Sequence, residues 1–222
     1  MTVPARILAI EALRDALAVL LPVSCAGCGA DGRTLCAACL ADLQPVPRSR
    51  PLSDGTALVS ALRYEGVVSR CILAVKEEGR TDAARALSRP LAAAVGLALS
   101  DVPPGRPVEL VTIPSSRRAV RRRGYDPVRL LLRRAGLPAP ASGLLSSRAR
   151  DDQKRLGRAD RWHNLENAMR ARGRLDGRRF LLVDDVVTTG STLLEAARAL
   201  RAAGAEVVAA ATLAATPRRF PP

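Results

Sequence analysis

The chain has 222 residues, 48% of them apolar, which suffices for one moderate core plus a small appendage and excludes a string of large domains. Aromatic residues make up 2%, so the core has to be built from Ala, Leu and Val. The net charge is +14, and residues 111–180 alone hold 19 basic against 6 acidic side chains, which points to an anionic partner near residues 117–179.

At the N-terminus Ile7, Leu8, Glu11, Leu13, Leu17 and Leu20 recur at the spacing of an amphipathic helix. Glu11, Arg14 and Asp15 interrupt its apolar residues, and the run from Ala16 to Val23 is too short to cross a bilayer. Neither a secretory leader nor a transmembrane segment is expected. The reading is a soluble, cytoplasmic protein, with an interfacial helix left open.

Pro22 ends that helix. Cys25 and Cys28 follow, then seven residues, then Cys36 and Cys39. Two Cys-x-x-Cys pairs at this separation present four thiolates tetrahedrally, and Gly27 and Gly29 permit the tight knuckle this needs. Disulfides or free thiols are the alternatives, and disulfides are disfavoured in a chain without an export signal. The expected cofactor is a structural Zn2+ on Cys25, Cys28, Cys36 and Cys39. It would supply folding energy that so small a loop cannot gain from apolar burial. Cys71, in an apolar run, is expected in the core.

Residues 44–56 carry Pro45, Pro47, Pro51 and Gly55 and read as a linker. This divides the chain into 1–45, the N-terminal helix and zinc-binding knuckle, and 46–222, the main domain. A strand starting at Ala57 ends in a turn near Gly66. Helices are expected over 67–75 and roughly 82–99, and Pro103, Pro104 and Pro107 then break the chain. A strand over 108–114 opens the core sheet. Residues 115–126 follow, with five arginines in seven positions from Arg117 to Arg123. This stretch reads as a basic loop before a helix over 128–135. It is a solvated charged loop, a polyanion patch, or a loop facing a ligand at the edge where loops after sheet strands converge. Residues 136–147 form another loop. The charged run 148–164 is a mobile flap or an exposed helix. It contains Trp162, expected to pack, and the lone His163.

The most informative stretch runs from Phe180 to Leu193. An apolar run ends in Asp184 and Asp185. Thr188, Thr189, Ser191 and Thr192 then surround Gly190, and apolar residues resume at helical spacing. The reading is strand, loop, helix. Gly190 allows a tight turn, and Ser191 or Thr192 can cap the helix. Backbone N–H groups and the positive helix end then converge as on a phosphate. The two acids, at the C-terminal end of the strand, are placed to accept hydrogen bonds from sugar hydroxyls. A buried strand leading into a capped helix would need neither the paired acids nor four hydroxyls. Gly204 is the expected C-cap, and a last strand covers 206–213.

Asp184-Asp185, two further positions, then Thr188-Thr189-Gly190-Ser191-Thr192 resemble the phosphoribosyl-pyrophosphate (PRPP) motif of the type I phosphoribosyltransferases. Other features are similar to one branch, the ComF family. These are the four-cysteine knuckle after a proline, Tyr64-Glu65-Gly66 ahead of Lys76, the Pro114-Ser115-x-Arg117 to Arg123-Gly124-Tyr125 stretch, and the spacing of Gln153, Arg161 and Asn164. Two departures are visible. The family usually has Pro-x-Pro where Thr112-Ile113-Pro114 stands, and Arg-Gly-Phe-Asn-Gln where Arg123-Gly124-Tyr125-Asp126-Pro127 stands.

The resemblance implies an α/β fold with a mostly parallel sheet flanked by helices, of the type I phosphoribosyltransferase kind. It implies that Asp184 and Asp185 hold the ribose and that Thr188, Thr189, Gly190, Ser191 and Thr192 hold the 5-phosphate. Mg2+ would come with PRPP, and Arg117, Arg118 and Arg123 would steady the leaving pyrophosphate. It also implies a link to natural transformation, with single-stranded DNA and a helicase-like competence protein as partners. Two functions follow. One is a phosphoribosyltransferase-like protein that binds PRPP or a ribose 5-phosphate. The other is a non-catalytic factor that binds single-stranded DNA through the same loop and the basic 117–179 segment. The shortage of aromatics for base stacking weighs against the second.

Overall fold

The computed structural model describes residues 23–146 and 168–217. The helix expected over 7–20 and the charged run 148–164, with Gln153, Arg161, Trp162, His163 and Asn164, lie outside the described residues.

A five-stranded sheet organises the chain. Its strands are β1 (Arg48–Pro51), β2 (Ala57–Arg63), β3 (Val108–Thr112), β6 (Arg179–Val187) and β7 (Glu206–Ala215). They lie in the order β1-β2-β7-β6-β3, parallel except for β1, which pairs antiparallel with β2. β6 and β7 are interior strands. Phe180, Leu181, Leu182 and Val183 are all fully buried, as expected of a parallel strand covered on both faces.

Helices cover both faces. On one, α2 (Gly66–Glu77), α3 (Ala84–Ser100) and α5 (Pro127–Arg134) pack Ile72, Leu87, Leu91 and Leu131 against Val59, Leu181 and Ala211. On the other, α6 (Ser191–Arg201) packs Leu193, Ala197 and Leu200 against Leu58, Leu182 and Ala210. Alanines along β7 let helices approach closely, which is how a core with few aromatics closes. Cys71 is fully buried in α2. A short helix, α1 (Ala37–Asp42), completes the cysteine-bearing segment.

Several local expectations need correction. The segment read as a linker contains β1. Its Pro51 is tolerated because β1 is an edge strand with one unpaired side. The strand expected to open the core sheet, β3, is its far edge, and β2 precedes it in the same sheet. The basic stretch is not a loop but a helix, α4 (Arg117–Arg123). Ser116 caps it by accepting from the Ala119 N–H at 3.1 Å, and Gly124, at φ 77°, closes it in the left-handed region. Asp126 then caps α5 by accepting from the Arg129 N–H at 3.0 Å, with Pro127 at the helix start. The Asp-Pro departure from the family pattern is therefore a helix-starting device. A small antiparallel ribbon of β4 (Leu144–Ser146) and β5 (Met169–Ala171) was not anticipated. After α6 the C-cap is Ala202. Gly204 turns the chain at φ 89°, where a Cβ would sit 2.2 Å from Asp176 Oδ1.

Candidate functional site

In a parallel sheet the loops after β3 and β6 leave at the same edge, and these two strands are neighbours. The basic helix α4 and the Asp-Asp motif therefore share that edge. β6 continues through Val187, so the acids lie within its last residues rather than after it. Asp185 is 8% exposed. Its Oδ2 lies 2.7 Å from Nζ of Lys76, in the last turn of α2. Burial works to lower the Lys76 pKa, but attraction to Asp185, with Asp184 behind it, outweighs burial and raises the ammonium above its ordinary value. Asp184 Oδ1 accepts from the Asp185 N–H at 2.9 Å, and Asp185 Oδ1 from the Val186 N–H at 2.7 Å.

Beyond β6, Thr188 and Thr189 are exposed and Gly190 turns at φ 90°. A Cβ at 190 would sit 2.8 Å from Cδ2 of Leu52, which packs beneath the loop. The expected cap is not formed by Ser191 or Thr192. Gly190 is itself the N-cap, without a side-chain cap bond, and α6 begins at Ser191. Thr189 Oγ1 instead accepts from the Ser191 N–H at 3.3 Å and lies 3.0 Å from Ser191 Oγ. The left-handed turn starts the helix right after the glycine, so the hydroxyl before it is the one within reach.

Arg117, Arg118, Arg121 and Arg122 are exposed on α4. The Arg123 side chain is turned inward and is 9% exposed. Its Nη1 donates to the Lys76 carbonyl at 2.9 Å and lies 3.7 Å from the Glu77 carboxylate. Its Nε is buried with no hydrogen-bond partner among the described residues. Arg122 pairs with Glu77, and the Tyr125 hydroxyl donates to the Val75 carbonyl. The end of α2 is thus tied to the α4–α5 corner on one side and to Asp185 on the other. Lys76 was not among the residues assigned a site role from the sequence. The signals were its place after Tyr64-Glu65-Gly66, which is among the features shared with the ComF family, and its type, since it is one of two lysines among 35 basic residues.

A cavity of about 750 Å3 opens at the ends of β2 and β7, between β1 and the start of α2, with Arg48, Arg63, Glu65, Val67 and Thr216 in its wall. Residues 184–192 are not in that wall.

The four cysteines meet in one place. The Sγ atoms of Cys25, Cys28, Cys36 and Cys39 all lie within 4.8 Å of one another, and Cys28 and Cys36 are 3.7 Å apart. Tetrahedral Zn–S bonds of about 2.3 Å put sulfurs about 3.8 Å apart, so the donor set fits such an ion. Burial pushes the Cys25 thiol up, but N–H donors from Cys36, Cys28 and Gly27 outweigh it and bring it down to about 6. Burial and the neighbouring cysteines push Cys39 up. Gly27 is required here, because a Cβ would sit 2.6 Å from Cys39 Sγ.

Comparison with known proteins identifies the family. The phosphoribosyl transferase domain family matches residues 119–221. The DNA utilization protein YhgH of Escherichia coli K12 is 34% identical over 155 residues, 68% of each chain. Its Salmonella typhi counterpart is 32% identical over 177 residues, 78% of this chain and 74% of that one. Among solved structures, the orotate phosphoribosyltransferase from Aeropyrum pernix aligns at TM-score 0.31 and 18% identity, over 76% of this chain and 74% of the other. Identity of this level across two thirds of a relative, together with the domain match over the motif strand and loop, shows that the chain belongs to the ComF family of the type I phosphoribosyltransferase superfamily.

Proposed function

We propose that the edge formed by Asp184 to Thr192 binds PRPP or a ribose 5-phosphate. The observation that carries this is the succession at the end of β6: two acids, a left-handed glycine, then an 11-residue helix opening toward the same edge. The α6 N-terminus and the hydroxyls of Thr188, Thr189, Ser191 and Thr192 suit the 5-phosphate. Asp184 and Asp185 suit ribose hydroxyls. Lys76 offsets the charge of Asp185, which would otherwise repel the phosphates. Arg117 and Arg118 suit the pyrophosphate, and the buried Nε of Arg123 has no acceptor among the described residues, of the kind a phosphate oxygen supplies.

Displacing pyrophosphate at C1 of the ribose passes through a cationic centre, which needs positioning and charge stabilisation more than a strong base. Mg2+ bound with PRPP would neutralise the diphosphate. Zn2+ on the four cysteines would be structural, with no open position. On this reading residues 1–45 form the metal-bearing unit and 46–222 the cytoplasmic phosphoribosyltransferase-like domain. No helix among the described residues is long and apolar enough to cross a membrane.

The name of the relatives, DNA utilization protein, favours a second role. Here the exposed arginines of α4 would contact single-stranded DNA during uptake, with a helicase-like partner. Calorimetry with Mg-PRPP and with a single-stranded oligonucleotide, separately and in competition, separates the two. Binding of PRPP alone supports the first. Mutual exclusion supports a shared site.

A further inference from the structure

Helix α2 touches the cysteine knuckle along one stretch and the motif edge at its end. Arg70 Nε donates to the carbonyl of Gly27, inside the first Cys-x-x-Cys pair. Arg80, just past the helix, donates through Nη2 to the Ser24 carbonyl at 2.8 Å. A Cβ at Gly27 would meet Val67 Cγ1 at 2.9 Å as well as Cys39 Sγ, so the knuckle is wedged against the first turn of α2. Lys76 lies between Arg70 and Arg80 and reaches Asp185, while Arg123 and Tyr125 hold the carbonyls of Lys76 and Val75 from the opposite side.

We propose that metal in the knuckle and ligand at the 184–192 edge bind cooperatively, with α2 as the shared element. The proposal rests on the phosphoribosyl reading for the identity of the ligand. A four-cysteine loop this small is folded with metal and unfolded without it, which supplies the two states that coupling requires. Losing the metal removes the Gly27 and Ser24 carbonyls from Arg70 and Arg80. The last turn of α2 then keeps its core packing through Ile72 and Val75 and its bonds to Arg123 and Tyr125 but loses the support of the knuckle, and Lys76 is held less firmly against Asp185. Linkage makes the effect reciprocal, so a ligand that needs Lys76 in place tightens the binding of metal.

The test uses the full chain, loaded with zinc or stripped by a chelator that is then removed and Mg2+ restored. Hydrogen exchange is followed at residues 72–78, and calorimetry measures Mg-PRPP and pyrophosphate. Stripping should speed exchange at 72–78 and weaken both ligands about ten-fold, within the usual range of coupling between sites. Saturating Mg-PRPP should raise the zinc affinity, read at equilibrium by competition with a chromogenic chelator, by the same factor. Arg70→Ala keeps all four cysteines and should reproduce the faster exchange and part of the affinity loss with zinc still bound, which guards against the stripped chain simply unfolding. If the zinc-loaded wild type binds neither ligand, the phosphoribosyl reading fails and the cooperativity with it, while the exchange measurement still decides whether the knuckle steadies the end of α2. Unchanged exchange at 72–78 in both the stripped protein and the Arg70→Ala variant, or equal affinity of the loaded and stripped protein for a ligand that the loaded protein binds, overturns the proposal.

Discussion

Lys76 Nζ and Asp185 Oδ2 sit 2.7 Å apart, joining the last turn of α2 to the motif strand β6. The carboxylate is nearly enclosed and the ammonium partly so, which places the pair between an exposed salt bridge and a buried one. Lys76→Gln leaves the Asp185 charge without this partner. It should destabilise the protein by about 1–2 kcal/mol, intermediate between exposed and fully buried pairs. Folding raises the lysine pKa above its ordinary 10.5. The stabilisation is therefore complete below that value and lost as pH climbs through the folded value. Urea unfolding of both proteins at pH 7 and above pH 10.5 checks this: the difference should hold at pH 7 and shrink at the alkaline end.

Gly190→Ala tests the turn. A left-handed conformation costs a non-glycine residue about 1–2 kcal/mol, and the new Cβ must also displace the Leu52 side chain. The backbone donors ahead of α6 should lose their alignment, so pyrophosphate and PRPP both weaken in calorimetry. Unchanged binding of both would show that the turn does not build the anion site.

One zinc per chain is expected in protein purified without chelator, with Cys25, Cys28, Cys36 and Cys39 protected from alkylation. Gly27→Ala places a methyl against Cys39 Sγ and should weaken zinc about 10–100-fold, as changes beside metal ligands do. Four alkylatable thiols and no zinc in well-folded protein would contradict the metal assignment.

The arginines of α4 divide by environment. Arg121 and Arg122 are exposed, whereas Arg123 holds the end of α2. Each phosphate contact contributes roughly −0.7 to the log–log salt slope of single-strand binding. Replacing Arg121 and Arg122 with Ala should flatten that slope with little loss of stability. Arg123→Ala should lower the unfolding midpoint instead. A slope that stays the same in the double variant would place the DNA elsewhere.

The parts of this architecture that can be read from the chain are those with a local physical signature. β6 announces itself because a strand covered on both faces must be apolar throughout, and the knuckle because four thiolates need paired spacing. α4 shows no such pattern. None of its residues is buried, so it has no apolar period, and only Ser116 and Gly124 at its ends mark it as a helix. β1 is hidden for a related reason: an edge strand of Arg, Ser and Pro looks like a linker until β2 pairs with it. The Lys76–Asp185 pair is tertiary, created when α2 folds back over the sheet edge, and neither residue carries a local sign of the other. The same holds for Arg123, whose sequence places it with the anion-facing arginines while packing turns it onto α2.

On the proposed function the acids at the end of β6 recognise a ribose while the loop after them recognises phosphate. Asp184→Asn with Asp185→Asn keeps the shape and removes both charges. A hydrogen bond to a charged group contributes roughly 1.5–3 kcal/mol, so PRPP should weaken about ten-fold or more in the double variant. Pyrophosphate has no ribose, and Lys76 released from Asp185 is free to meet it, so its affinity should hold or rise. Calorimetry of both ligands on both proteins gives the comparison. A selective loss of PRPP is the predicted result, and PRPP bound equally well by the two proteins would contradict it.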